Sequence, residues 1–148
     1  MEKEIQVYSH KKIEALVQAF IQGNLPKVAW THEAHLIIAL WHLTEYSVDE
    51  ATCLLRARII NYNKAVGTEN SGNSGYHETL TLFWIWVVTQ YLVTQNGELK
   101  ESVNTFIRSK YADRKLAFLF YDKATLFSVS ARARWVKPDL QPLDFNVI

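Results

Sequence analysis

Histidine beside glutamate at the head of an apolar run is a pairing suited to holding a metal or moving a proton. It occurs twice in this chain, in Trp30-Thr31-His32-Glu33-Ala34-His35-Leu36 and in Gly75-Tyr76-His77-Glu78-Thr79. Three of the five histidines lie in these two stretches. Neutral imidazole is the common ligand of zinc, iron, copper and nickel. The partial positive charge at a helix start keeps a nearby histidine neutral, and it also repels a cation unless a carboxylate compensates. Glu33 and Glu78 are the obvious sources of that carboxylate. Three histidines with an open position match a catalytic zinc site, and two histidines with one carboxylate match a non-haem iron site. Spacing does not choose between them.

The expected metal set is therefore His32, His35, His77 and Glu78, around a divalent transition metal, zinc or iron. An enzyme built on it would carry out metal-assisted hydrolysis or oxidation. Glu78 would then be a ligand or general base, and Tyr62 or Tyr111 a proton donor. The His-x-x-His spacing is not the His-Glu-x-x-His zinc signature, which needs an i, i+4 pair and a general-base glutamate between. Two alternatives keep the residues and drop the metal. In one, convergent helix starts, neutral imidazoles and the Asn61, Tyr62 and Asn63 side chains make a non-enzymatic module for a small anion or a protein partner. In the other the histidines are structural. Trp30 and His35 occupy the N′ and N4 positions of a hydrophobic staple, and Tyr76 and His77 anchor the preceding loop.

The elements that must position these residues are helical throughout; no alternating run bounded by turn residues argues for a sheet. Helices are expected over 3–22, 31–46, 48–66, 76–94 and 98–110. Gly23-Asn24 closes the first, Thr31 is the N-cap of the second, and Ser47-Val48-Asp49-Glu50 reads as a capping box for the third. Val48, Thr52, Leu55, Ile59, Tyr62 and Val66 form its seam. A polar, glycine-rich loop over 67–75 precedes the fourth helix, which is apolar on most sides and expected to be central. Asp113 is placed to cap a sixth helix through Leu116, Leu119 and Phe120, and a short turn follows around 131–135. Pro138 and Pro142 bar helix in the tail, which is expected to lie across the others as an extended strap. The fold class is all-α, an up-down bundle of about five main helices with a C-terminal strap, in a single domain over 1–148.

Chain direction carries the site. The second and third helices are joined by almost nothing and must pack antiparallel, and a fourth that alternates again starts at the same end as the second. His32, His35 and His77 belong to those two starts. At about 100° per residue His32 and His35 share a face. His42 lies near His35 in angle but about 10 Å further along the axis, outside a common coordination shell. His10 has no visible partner.

Composition narrows the function classes. Hydrophobic residues make up 49% of the 148 and charged residues 21%, the proportions of a folded globular domain. A formal net charge of +1 leaves no case for nucleic acid, which needs a concentrated basic face. The Arg132–Lys137 run is read as a solvated helix end. Residues 79–97 lack charge, yet their threonines and glutamines interrupt what a spanning helix requires, so no membrane partner is expected. Cys53 stands alone, which excludes a disulfide framework and fits a reducing cytoplasm; it is read as a small buried residue. The charged N-terminus has no apolar signal core. Arg56 and Arg58 are read as a solvated edge or as partners of an acidic neighbour. The 67–75 loop lacks the strand and the lysine of a phosphate loop. An exposed apolar face on the first or fifth helix would make a homodimer surface.

The segments Leu25-Pro26-Lys27, Trp30 to Leu36, Gly75 to Thr81 and Trp135-Val136-Lys137-Pro138-Asp139-Leu140 resemble those of a family of small bacterial all-helical proteins. That resemblance spans most of the chain and implies a bacterial, cytoplasmic, single-domain protein. It brings no activity with it.

Overall fold

The computed structural model describes residues 7–148, and among them the regular structure is entirely helical. Seven α-helices follow in order among these residues: α1 His10–Ile21, α2 His32–Glu45, α3 Val48–Ala65, α4 Glu78–Val93, α5 Leu99–Ile107, α6 Lys123–Leu126 and α7 Val129–Ala133. None is long and apolar enough to cross a membrane.

Short-range chemistry sets most of the boundaries. Thr31 Oγ1 accepts from the Ala34 N–H at 3.1 Å and starts α2. Ser47 Oγ accepts from the Glu50 N–H at 3.2 Å and donates to Glu50 Oε1 at 2.9 Å, which starts α3 after a two-residue junction. α3 ends where Gly67 takes φ +77°, with Thr68 N–H bonded to the Asn63 carbonyl and Gly67 N–H to that of Lys64. This pairing satisfies carbonyls that a helix end leaves free, and it needs the left-handed conformation that glycine takes without strain. α1 begins later than residue 3: Ser9 is its N-cap, residues 7–9 are not helical, and residues 3–6 lie outside those described.

The core is centred on α2, whose run from Leu36 to His42 is buried on all sides and which packs against α1, α3, α4 and α5. The sequence points instead to α4 as the central helix. Its Leu82, Trp84, Trp86 and Leu92 are only partly buried, and Trp84 lines a cavity. The α3 seam is interrupted as well. Ala51, Leu55 and Tyr62 are buried, but Val48 is 46% exposed, and Ile59 is only partly buried, packed against the core while also lining a cavity. Cys53 is exposed rather than buried.

Beyond α5 the expected sixth helix is a 3₁₀ turn over Leu116–Leu119, with Asp113 Oδ1 accepting from the Lys115 N–H. The sequence pattern does not mark α6, a single turn over Lys123–Leu126. From Arg134 to Asp144 the chain has no regular structure, and it is held by polar bonds together with the packing of Trp135 on Tyr121 and of Leu143 on the core. Tyr121 donates to the Val136 carbonyl at 2.6 Å, Asp139 accepts from the Asp122 N–H and the Thr125 hydroxyl, and Leu140 N–H bonds the Phe120 carbonyl. The buried hydroxyl of Thr79 joins this segment to α4, donating to the Arg134 carbonyl at 2.8 Å and accepting from the Val136 N–H at 3.1 Å. Phe145 stacks on Tyr111 with ring centroids 4.5 Å apart. At the other terminus, Asn104 of α5 bonds both backbone groups of Tyr8.

Candidate functional site

A cavity of about 610 Å³ opens between the first turns of α2, the start of α4 and the second half of α3. The loop before α4 and the turn after α5 complete its wall. His32, His35 and His77 all line it, as do Asn63 and Tyr76. Glu78, Tyr62 and Tyr111 do not. The rest of the wall is largely aliphatic and aromatic, with Leu36, Leu80, Trp30, Trp84 and Phe127 prominent.

The three imidazoles differ in what their nitrogens already do. His77 is the N-cap of α4: its Nδ1 accepts from the Leu80 N–H at 3.1 Å, and its Nε2–H donates to the Leu126 carbonyl at 2.7 Å. Both nitrogens are committed, and the ring is 7% exposed. Burial lowers its pKa, the nearby Arg132 adds to that, and the Leu126 carbonyl opposes it. His32 donates Nε2–H to the Ala112 carbonyl at 2.9 Å and packs edge-on to Trp84. Burial lowers its pKa too, against the Ala112 bond.

His35 lies with its Nδ1 2.6 Å from the Thr31 carbonyl and its ring centroid 3.6 Å from that of Trp30. His35 lines the cavity as a solvent-exposed residue, and the surrounding chain still moves its pKa downward, against the Thr31 bond. Its close contact with Trp30, with the rings tilted by 34°, joins the two positions of a hydrophobic staple.

The carboxylates are engaged away from the cavity. Glu78 receives both a bond from Arg56 Nε, at 2.8 Å, and one from the Tyr76 hydroxyl, at 2.9 Å. Glu33 receives the Tyr8 hydroxyl at 2.5 Å. Tyr62, 1% exposed, donates to the Leu25 carbonyl at 2.9 Å. Among the described residues no three of His, Cys, Asp and Glu stand close enough together to hold a metal ion. The four ligands expected from sequence are thus divided. Among the described residues His32 and His35 each keep a ring nitrogen with no protein partner, whereas His77 and Glu78 are tied into the scaffold.

His42 shows what a filled imidazole looks like in this fold. It is fully buried, its Nδ1 bonds the Ile38 carbonyl at 2.7 Å, and its Nε2 accepts from Arg58 Nη1 at 2.8 Å. Burial pushes its pKa down to about 4, with Arg58 adding to the effect. Arg58 is therefore paired with a histidine, and Arg56 with the acidic Glu78.

Two cations in the wall escaped the reading of the sequence. Lys27, in the 3₁₀ turn before α2, and Arg114, in the turn after α5, both line the cavity. Neither has an ion-pair partner among the described residues, where the ion pair is Arg56–Glu78. Nothing in the local sequence of Asp113-Arg114-Lys115 marks the middle residue, since its place follows from how the chain returns after α5. The glycine-rich loop does carry a signal. Gly75 has φ +76°, and a Cβ there would come within 2.5 Å of the Glu69 carbonyl oxygen. Glycine is thus required where the chain turns in against the cavity. Arg132 Nη1 holds the Gly75 carbonyl at 2.8 Å, and Asn70 bonds the Tyr76 N–H at 3.0 Å.

No protein-family model matches the chain, and neither does any curated protein or any solved structure.

Proposed function

We propose that this protein is a non-enzymatic binding module for a small organic anion with an apolar, aromatic body, held in the cavity between α2, α3 and α4. The observation that carries this is the balance of the wall. Trp30, Trp84, Tyr76, Phe127 and several aliphatic side chains supply apolar surface, Lys27 and Arg114 supply positive charge, and no carboxylate lines the cavity among the described residues. A pocket of mostly apolar lining with a few placed polar groups is the general form of a small-molecule site, and about 610 Å³ lies within its usual size range. Cations without an ion-pair partner among the described residues, beside neutral histidines, favour an anionic head group over a neutral or cationic one. The proposal takes the long helices as alternating in direction, with the starts of α2 and α4 and the end of α3 together, and the tail past Pro138 as a strap. The setting proposed is a bacterial cytoplasm, in keeping with the lone Cys53.

Naphthoate and its neutral amide provide the test, with Trp30 and Trp84 in the wall as fluorescent reporters. Naphthoate is expected to bind and naphthamide to bind several-fold more weakly. Arg114→Gln and Lys27→Gln should each weaken naphthoate by about two- to fivefold, the range of exposed charge pairs, and added salt should erase the difference. Equal binding of acid and amide, or indifference to both substitutions, would refute an anion site.

A further inference from the structure

His35 and His42 sit on one helix and use the same local bond, Nδ1 to the carbonyl four residues earlier, at 2.6 and 2.7 Å. A carbonyl oxygen only accepts, so in both rings Nδ1 carries the proton and Nε2 presents a lone pair. At His42 that lone pair is filled by the Arg58 guanidinium. At His35 it is filled by no protein group among the described residues, and His35 lines the cavity. The ring is bonded at Nδ1 to Thr31 and packs at a tilt against Trp30.

Several neighbouring polar groups in the wall are already spoken for. The Tyr76 hydroxyl goes to Glu78, the Thr81 hydroxyl to the His77 carbonyl, the Asn63 amide N–H to Asn70, and Thr31 Oγ1 to the Ala34 N–H. What the cavity offers at His35 is a fixed acceptor, near enough to Arg114 and His32 for both to act on its charge.

We propose that the cavity selects an aromatic anion that also carries a hydroxyl or N–H donor, and that His35 Nε2 is the acceptor that reads this donor. The inference rests on the anion-binding function above and narrows its ligand class. His35 is exposed to water in the free protein, so a ligand that covers Nε2 without a donor displaces that water and leaves the lone pair unfilled, which is the source of the discrimination. A methoxy group in place of the hydroxyl brings oxygen against nitrogen with no hydrogen between them.

The experiment compares naphthoate, the positional isomers of hydroxynaphthoate, and their methoxy counterparts on the wild-type protein and on His35→Phe. Phenylalanine keeps a ring against Trp30 and removes the nitrogen. At least one hydroxy isomer is expected to bind roughly five- to tenfold tighter than its methoxy counterpart, the worth of one neutral hydrogen bond. In His35→Phe the gap, taken as the ratio of the two affinities within that variant, should close. In the wild type, the same isomer should shift the His35 Nε2 resonance in ¹⁵N spectra, away from its unbonded position. Binding of parent naphthoate with no preference for any hydroxy isomer, or a preference that survives in His35→Phe, would overturn the role of His35 and leave the anion site standing. Failure of naphthoate itself to bind would overturn both.

Discussion

His77 offers the most direct way to separate scaffold from site. Replacing it with alanine removes two bonds from a 7%-exposed position: the cap on the Leu80 N–H and the donation to the Leu126 carbonyl. Loss of an N-cap costs about 1 kcal/mol, within a range of about 0.5–2. A buried carbonyl left without its donor costs about 1–3 kcal/mol more. The sum for His77→Ala is roughly 2–4 kcal/mol. For a domain of this length each kcal/mol moves the melting temperature by about 2–4 °C, so a fall on the order of 10 °C is expected. His77→Asn keeps a cap acceptor but does not reach Leu126, so about 1 kcal/mol, roughly a quarter to a half of the loss, should return. The assay is urea denaturation of the three proteins, with the midpoint and slope fitted together. A change below about 0.5 kcal/mol in His77→Ala, or an asparagine variant no better than alanine, would refute the structural assignment of this ring.

Two further outcomes follow from the buried polar groups. His32, His42 and His77 all have folded-state pKa values below the ordinary histidine value because burial disfavours the charged ring. The unfolded chain therefore binds more protons than the folded one below about pH 6.5, and stability should fall as pH drops from there towards about 4, the folded-state value of His42. His42 alone accounts for about 3 kcal/mol of that loss, and His42→Leu should flatten the acid limb of a pH–stability curve; an unchanged limb would contradict the assignment. Tyr62→Phe deletes the bond to the Leu25 carbonyl and should cost about 1–2 kcal/mol by thermal unfolding while leaving naphthoate affinity intact. A selective loss of binding would instead put Tyr62 in the site.

Much of the fold is legible along the chain, because its signals act over three or four residues. Thr31 and Ser47 cap through groups three residues on, Gly67 closes α3 through its own left-handed φ, and Pro138 and Pro142 keep helix out of the tail. The relative burial of α2 and α4 is not legible in the same way. Both are apolar on most sides, and which of them ends up enclosed depends on where the chain after α5 comes to rest.

The site divides along the same line. Residue type and position alone determined that three imidazoles would sit at the heads of two apolar helices, and that glycine would end the loop beside them. Tertiary structure decided what each imidazole does. The Ala112 carbonyl that takes His32 is 80 residues away, and the Leu126 carbonyl that takes His77 is 49 away. Lys27 and Arg114 reach one cavity from opposite sides of α2 in the sequence. A ring nitrogen is free or occupied according to which backbone oxygen the folded chain brings within about 3 Å of it, and that distance is settled only when distant segments pack.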